Sequence, residues 1–144
     1  MGMKGWGKQA RRRTGSKMGN IRSTSTLPEI ATHSFASKLE RNRAVELVLL
    51  QRAKKIRKLK FHPVIHLTRA GLQYTPDAEY EEPWGENWRH IYEECKGMEM
   101  YPWMTYKKLW PHYGPGWLRI IRDGGGGKPK WYKDIFGHGR DYDA

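Results

Sequence analysis

Between Ser37 and Pro63 the apolar residues Val45, Val48, Leu49, Ala53, Ile56 and Leu59 recur at every third or fourth position. That spacing makes one stripe along a helix. Ser37-Lys38-Leu39-Glu40 fits a capping box, no Gly or Pro interrupts the stretch to Lys60, and Pro63 supplies a stop. The pattern predicts one long amphipathic helix over about 38–60, a rod of about 34 Å. ENWRHIYEECKG places Trp88, Ile91, Tyr92 and Cys95 at helical spacing before Gly97, which predicts a short helix near 86–96. TYKKLW, between Pro102 and Pro111, predicts another near 105–110. FHPVIHLT is the best strand candidate, residues 70–85 with Pro76 and Pro83 look like loop, and 116–123 contain a brief apolar strand. The fold expected is mainly α with irregular extended segments and at most a small β element. Its organisation would be an extended basic arm (1–36), a small aromatic-rich core that includes the basic helix (37–123), and a glycine linker with a C-terminal tail (124–144).

Composition changes that picture in one respect. Leu, Ile, Val and Phe together supply only 24 of 144 residues, while seven Trp and eight Tyr are present. Few aliphatics with high net charge mark chains that bury little surface alone. Abundant large aromatics mark cores and interfaces. The sequence therefore suggests burial against a partner and poor folding in isolation. Trp88, Trp103, Trp110, Trp117 and Trp131 are the expected protein-interface residues. The run Trp103, Tyr106, Trp110, Tyr113, Trp117 reads first as core standing in for absent Leu and Val, with base stacking as the alternative.

Charge is distributed unevenly. The net value is +12, residues 1–28 hold seven cations and no acid, and residues 77–99 hold eight acids against Arg89 and Lys96. So much one-signed charge in one chain half suits a polyanion. The expected RNA contacts are Lys4, Lys8, Arg11, Arg12, Arg13, Lys17 and Arg22 in the arm. On and beside the helix they are Arg41, Arg43, Arg52, Lys54, Lys55, Arg57, Lys58 and Lys60. An acid-free start rich in Arg, Ser and Gly is also the composition of an organelle-targeting peptide. We read it as a retained arm that doubles as an uncleaved import signal.

No catalytic constellation is visible along the chain. Gly124–Lys128 has Pro129 where a phosphate loop needs a hydroxyl. His62 and His66 have the i, i+4 spacing of a helical metal pair, but Pro63 breaks the helix and no Cys or carboxylate lies close in sequence. Lone Cys95 reads as a small buried hydrophobe and allows no internal disulfide. The acids of EYEEPWGE read as a solvated loop. The longest apolar run, Val45–Leu50, already contains Glu46 and cannot span a bilayer. The expectation is a non-enzyme without metal, cofactor or small-molecule substrate. In kind, a basic arm on a small irregular core resembles the ribosomal proteins. That resemblance implies a structural protein of the mitochondrial ribosome, in the matrix, binding ribosomal RNA through its phosphates and bridging other ribosomal proteins. The alternative settings are a cytoplasmic ribosome, or the matrix side of the inner membrane as an accessory subunit of a respiratory complex or ATP synthase.

Overall fold

The computed structural model describes residues 21–22 and 27–139. Its centre is a mixed five-stranded sheet rather than a helical assembly, which overturns the mainly α expectation. The described elements run β1 (Ile21–Arg22), α1 (Pro28–Ala31), β2 (Ser34–Phe35), α2 (Lys38–Arg52), β3 (Arg57–Phe61), β4 (Ile65–His66), β5 (Gln73–Tyr74), β6 (Ala78–Trp84), β7 (Asn87–Cys95), α3 (Trp103–Tyr113), β8 (Trp117–Asp123) and β9 (Pro129–Phe136). The sheet order is β3-β6-β7-β8-β9; β7 and β8 are parallel, joined by α3 as a crossover, and the other neighbours are antiparallel. Two short pairs, β1 with β2 and β4 with β5, flank it.

The predicted long helix forms only in its first part. Ser37 Oγ accepts from Glu40 N–H at 3.1 Å, and Glu40 Oε2 accepts from Ala36 N–H at 3.0 Å, so the capping residues act much as the sequence suggests. The helix ends at Arg52, not near 60. Lys54 N–H bonds the Gln51 carbonyl and Lys55 N–H bonds the Leu50 carbonyl, with Lys54 at φ +59°. This is the Schellman arrangement with a lysine where glycine is usual. The chain then turns Ile56 into the core and continues as β3.

The helix expected near 86–96 is strand β7, at the middle of the sheet. The loop expected at 70–85 instead supplies β5 and β6. A two-residue turn, Gly85–Glu86, joins β6 to β7, and Gly85 sits at φ +63° as such hairpin turns require. The strand expected in FHPVIHLT is split, with β3 ending at Phe61 and β4 covering Ile65–His66. The glycine run is no linker. Asp123 accepts from the N–H groups of Gly125 and Gly127, the Gly127 carbonyl accepts from Asn42 Nδ2 at 2.8 Å, and β9 follows as an outer strand.

Side-chain alternation puts a different cluster on each face of the sheet. Leu118 and Ile120 join Trp103, Trp110, Tyr74 and Leu67 under α3. Ile91, Ala78 and Tyr80 join Leu47 and Ile56 under α2. Trp103 is 3% exposed and Trp110 0%, so the aromatic run fills the chain's own interior, as its first reading suggests. Among the described residues, no helix is long and apolar enough to cross a membrane.

Candidate active site

The site grows from one hairpin. Ala78 on β6 pairs with Glu93 on β7, so Asp77, just before β6, lies beside the end of β7, where Glu94-Cys95-Lys96 follow. Asp77 N–H bonds the Glu93 carbonyl at 2.9 Å, and Asp77 Oδ2 accepts from Cys95 N–H at 2.6 Å. Lys96 N–H bonds the Ile121 carbonyl at 2.9 Å, which extends the parallel pairing to β8 past the end of β7. Glu94 is 4% exposed; Lys96 Nζ lies 3.1 Å from its Oε1, and the Tyr74 hydroxyl donates to its Oε2 at 2.7 Å.

Helix α2 brings a third carboxylate. Glu40, 7% exposed, stands in its first turn with Oε1 2.8 Å from His62 Nε2. His62 follows the last residue of β3, where its N–H bonds the Asp77 carbonyl at 3.0 Å. One donor atom each from Glu40, His62 and Asp77 lie within 4.8 Å of one another. On either side of the acids is an open cleft. One, of about 470 Å³, is lined by Thr32, His33, Ser34, Ala36, Glu40, His62 and Asp77. The other, of about 560 Å³, is lined by Glu94, Lys96, Tyr74 and the Met98–Tyr106 region.

Burial first, then the charges of Glu94 and Glu40, push the Asp77 carboxyl well above the usual range. Burial also raises Glu94, outweighing the neighbouring Lys96 ammonium and the Tyr74 hydrogen bond. Burial works to lower Lys96, but Glu94 outweighs it by charge and hydrogen bond, so its pKa ends raised and the ammonium stays charged at neutral pH. The hydrogen bond to Glu40 raises His62. Burial, then the surrounding acids, push the Cys95 thiol well up, which argues against a thiolate nucleophile. Three carboxylates converge with too little positive charge to match them. Hard divalent cations with oxygen preference fit such a set, and one or two carboxylates plus substrate phosphate commonly hold magnesium. Strongly perturbed, clustered acids beside a cleft also mark functional sites.

Sequence reasoning missed this cluster. Asp77 falls in the expected loop and Glu94 in the expected helix near 86–96, and His62 lacked partners because Glu40 and Asp77 are distant along the chain. The available signal was an acid at the start of one strand and Glu-x-Lys at the end of the next.

Most helix cations proposed for RNA are engaged by the protein's own acids. Arg43 makes a two-pronged contact with Glu93 at 2.6 and 3.1 Å and also reaches Glu46. Arg52 pairs with Glu29, Arg57 and Lys58 with Glu81, and Lys60 Nζ lies 3.8 Å from Glu79. Arg41 bonds Asn42 Oδ1 at 3.4 Å, while Lys54 and Lys55 are exposed near the end of α2. Lys4, Lys8, Arg11, Arg12, Arg13 and Lys17 lie outside the described residues, as does the Arg22 side chain. Of the tryptophans expected at an interface, Trp103 and Trp110 are core; Trp88 and Trp131 are exposed, and Trp117 is half-buried beside Arg89, which also stacks on Trp84. No family model, curated protein or solved structure matches the chain.

Proposed function

We propose that the protein is a cation-dependent nuclease, in place of the non-catalytic role expected from the sequence. The observation that carries this reading is Asp77, hydrogen-bonded beside Glu94 and Lys96 at the end of β7 and within ligand reach of Glu40, with a cleft on either side. Asp77 and Glu94 are the carboxylates that would hold the cation, with Glu40 beside them. A divalent cation held there would supply Lewis-acid polarisation of a phosphoryl oxygen and would lower the pKa of a water. Lys96 stays charged and is partly exposed, so it acts as a fixed cation for the charge that develops on phosphate. A net charge of +12 favours a polyanionic substrate over a neutral one, which separates this reading from glycoside hydrolysis by a carboxylate pair.

The test uses the full chain with labelled single- and double-stranded DNA and RNA, in magnesium or manganese and in chelator. Cleavage should require the cation. Asp77→Asn, Glu94→Gln and Lys96→Met should each lower it by roughly 10³-fold or more while circular dichroism stays native. A second reading, anchoring of ribosomal RNA within the mitochondrial ribosome, draws on the seven acid-free cations of residues 1–28. Salt-sensitive RNA binding with no cleavage of any substrate would favour it and reject the nuclease.

A further inference from the structure

We infer that His62 joins Glu40 and Asp77 as a nitrogen ligand, giving this site a preference for late first-row divalent cations over magnesium. The inference rests on the cation-dependent reading above, and concerns which cation this chain selects and through which residue.

Three elements place the donors. Glu40 comes from the first turn of α2, His62 from the turn after β3, and Asp77 from the residue before β6. Their ligand atoms lie within 4.8 Å of one another and line a cleft open to solvent. The His62 backbone is held at φ +54°, a region that costs a side-chain-bearing residue about 1–3 kcal/mol. Pro63 adds its own restriction on the residue before it. The fold maintains this conformation through the 3.0 Å bond from His62 N–H to the Asp77 carbonyl. Strain of this kind concentrates where a side chain must be aimed, and here the ring is aimed at two carboxylates. Asp77 belongs to both halves of the cluster, since its bonds to the Glu93 carbonyl and the Cys95 N–H hold it beside the end of β7, where Glu94 and Lys96 stand, so the imidazole reaches the cation position through a shared ligand.

A bland alternative exists: His62 could serve only as a counter-charge to Glu40. The two roles differ in sign. A counter-charge competes with a cation, so its removal strengthens cation binding; a ligand's removal weakens it. Imidazole also selects among metals, because nitrogen sites bind cobalt and nickel more tightly than manganese, while magnesium favours oxygen donors and water.

The experiment titrates CoCl2 and MgCl2 separately into the full chain by calorimetry, for the wild type, His62→Gln and Glu40→Gln. His62→Gln should lower cobalt affinity by about 10–100-fold and leave magnesium affinity unchanged. Glu40→Gln should weaken both. Thermal melts confirm that each variant is folded. A wild-type sample loaded with manganese should show nitrogen coupling in pulsed electron paramagnetic resonance, and that coupling should vanish in His62→Gln. Cobalt affinity in His62→Gln equal to or above that of the wild type, no cobalt binding by the wild type, or no nitrogen coupling, each overturns the inference. Lys96→Met separates the two readings, because it should abolish cleavage while keeping cobalt binding and nitrogen coupling. Cation-dependent cleavage with an unaltered His62→Gln preference sinks the ligand inference alone. Cobalt held through His62 with no nucleic acid cut sinks the nuclease alone.

Discussion

Glu40 uses one carboxylate oxygen to cap α2 and the other to reach His62. The first role is legible in Ser37-Lys38-Leu39-Glu40; the second is not, because nothing local in the sequence says where His62 will be. Asp77 and Glu94 were hidden differently. Neither stands out from its local sequence, whereas the fold buries Glu94, half-buries Asp77 and lifts both pKa values. A carboxyl with a raised folded-state pKa binds its proton more tightly when folded. Its stabilising effect is complete below the ordinary carboxyl range near about pH 4 and is lost as pH climbs through the raised value. At neutral pH these groups therefore oppose folding. Asp77→Asn should raise the Tm of the cation-free protein at pH 7, with the gain shrinking toward zero near pH 4. Melting curves across that range check this, and a gain that grows toward acid would contradict the assigned direction. Added divalent cation should raise the wild-type Tm at pH 7 by more than that of Asp77→Asn.

The helices and strands were unequally readable, for identifiable reasons. The start of α2 follows from its capping residues and the middle of α3 from its apolar spacing, although α3 begins at Trp103 and runs through Pro111 to Tyr113. The end of α2 does not, because Lys54 takes the left-handed position that a glycine would have announced. Lys54→Gly should relieve that conformation and stabilise the protein by about 1 kcal/mol, a Tm rise of about 2–4 °C in a chain of this size. An unchanged or lower Tm would mean that the lysine side chain contributes more than the strain costs. Strand β7 was misread because Trp88, Ile91, Tyr92 and Cys95 mimic a helical stripe. It is covered by α2 on one face and α3 on the other, and two of its buried positions are Glu93 and Glu94. A strand buried on both faces loses the alternation of apolar and polar residues. Here acids at buried positions disguise it further.

For the whole molecule, composition correctly signalled few aliphatic residues but not what replaces them. Trp103, Trp110, Tyr74 and Tyr80 fill the interior beside Leu and Ile, so the expected reliance on a partner for burial gives way to a core of the chain's own. Arg43, Arg52, Arg57 and Lys58 are engaged by acids of the same chain, so they are less available to a polyanion than the sequence suggests. On the nuclease reading, long-range attraction to a polyanion then falls more heavily on the six cations of residues 1–20. Deleting them removes Lys4, Lys8, Arg11, Arg12, Arg13 and Lys17. For duplex DNA the logarithmic salt slope should fall by about 5. On the nuclease reading KM should rise with kcat held, because the deletion leaves Glu40, Asp77, Glu94 and Lys96 in place. Binding isotherms and steady-state rates over a salt series measure both, and a slope that stays put would remove the arm from substrate capture. The sheet order gives the basic residues of its outer strands another consequence. Among the described residues, its outer strands, β3 and β9, each leave one row of backbone N–H and C=O groups without a neighbouring strand of the sheet. Such rows invite a second chain to add on and begin aggregation, and lysines and prolines along them discourage it. Arg57, Lys58 and Lys60 stand on one border, while Pro129, Lys130 and Lys133 stand on the other, just after Lys128. Two like-charged borders resist edge-to-edge joining, so part of the basicity that looks like nucleic-acid affinity also serves colloidal stability.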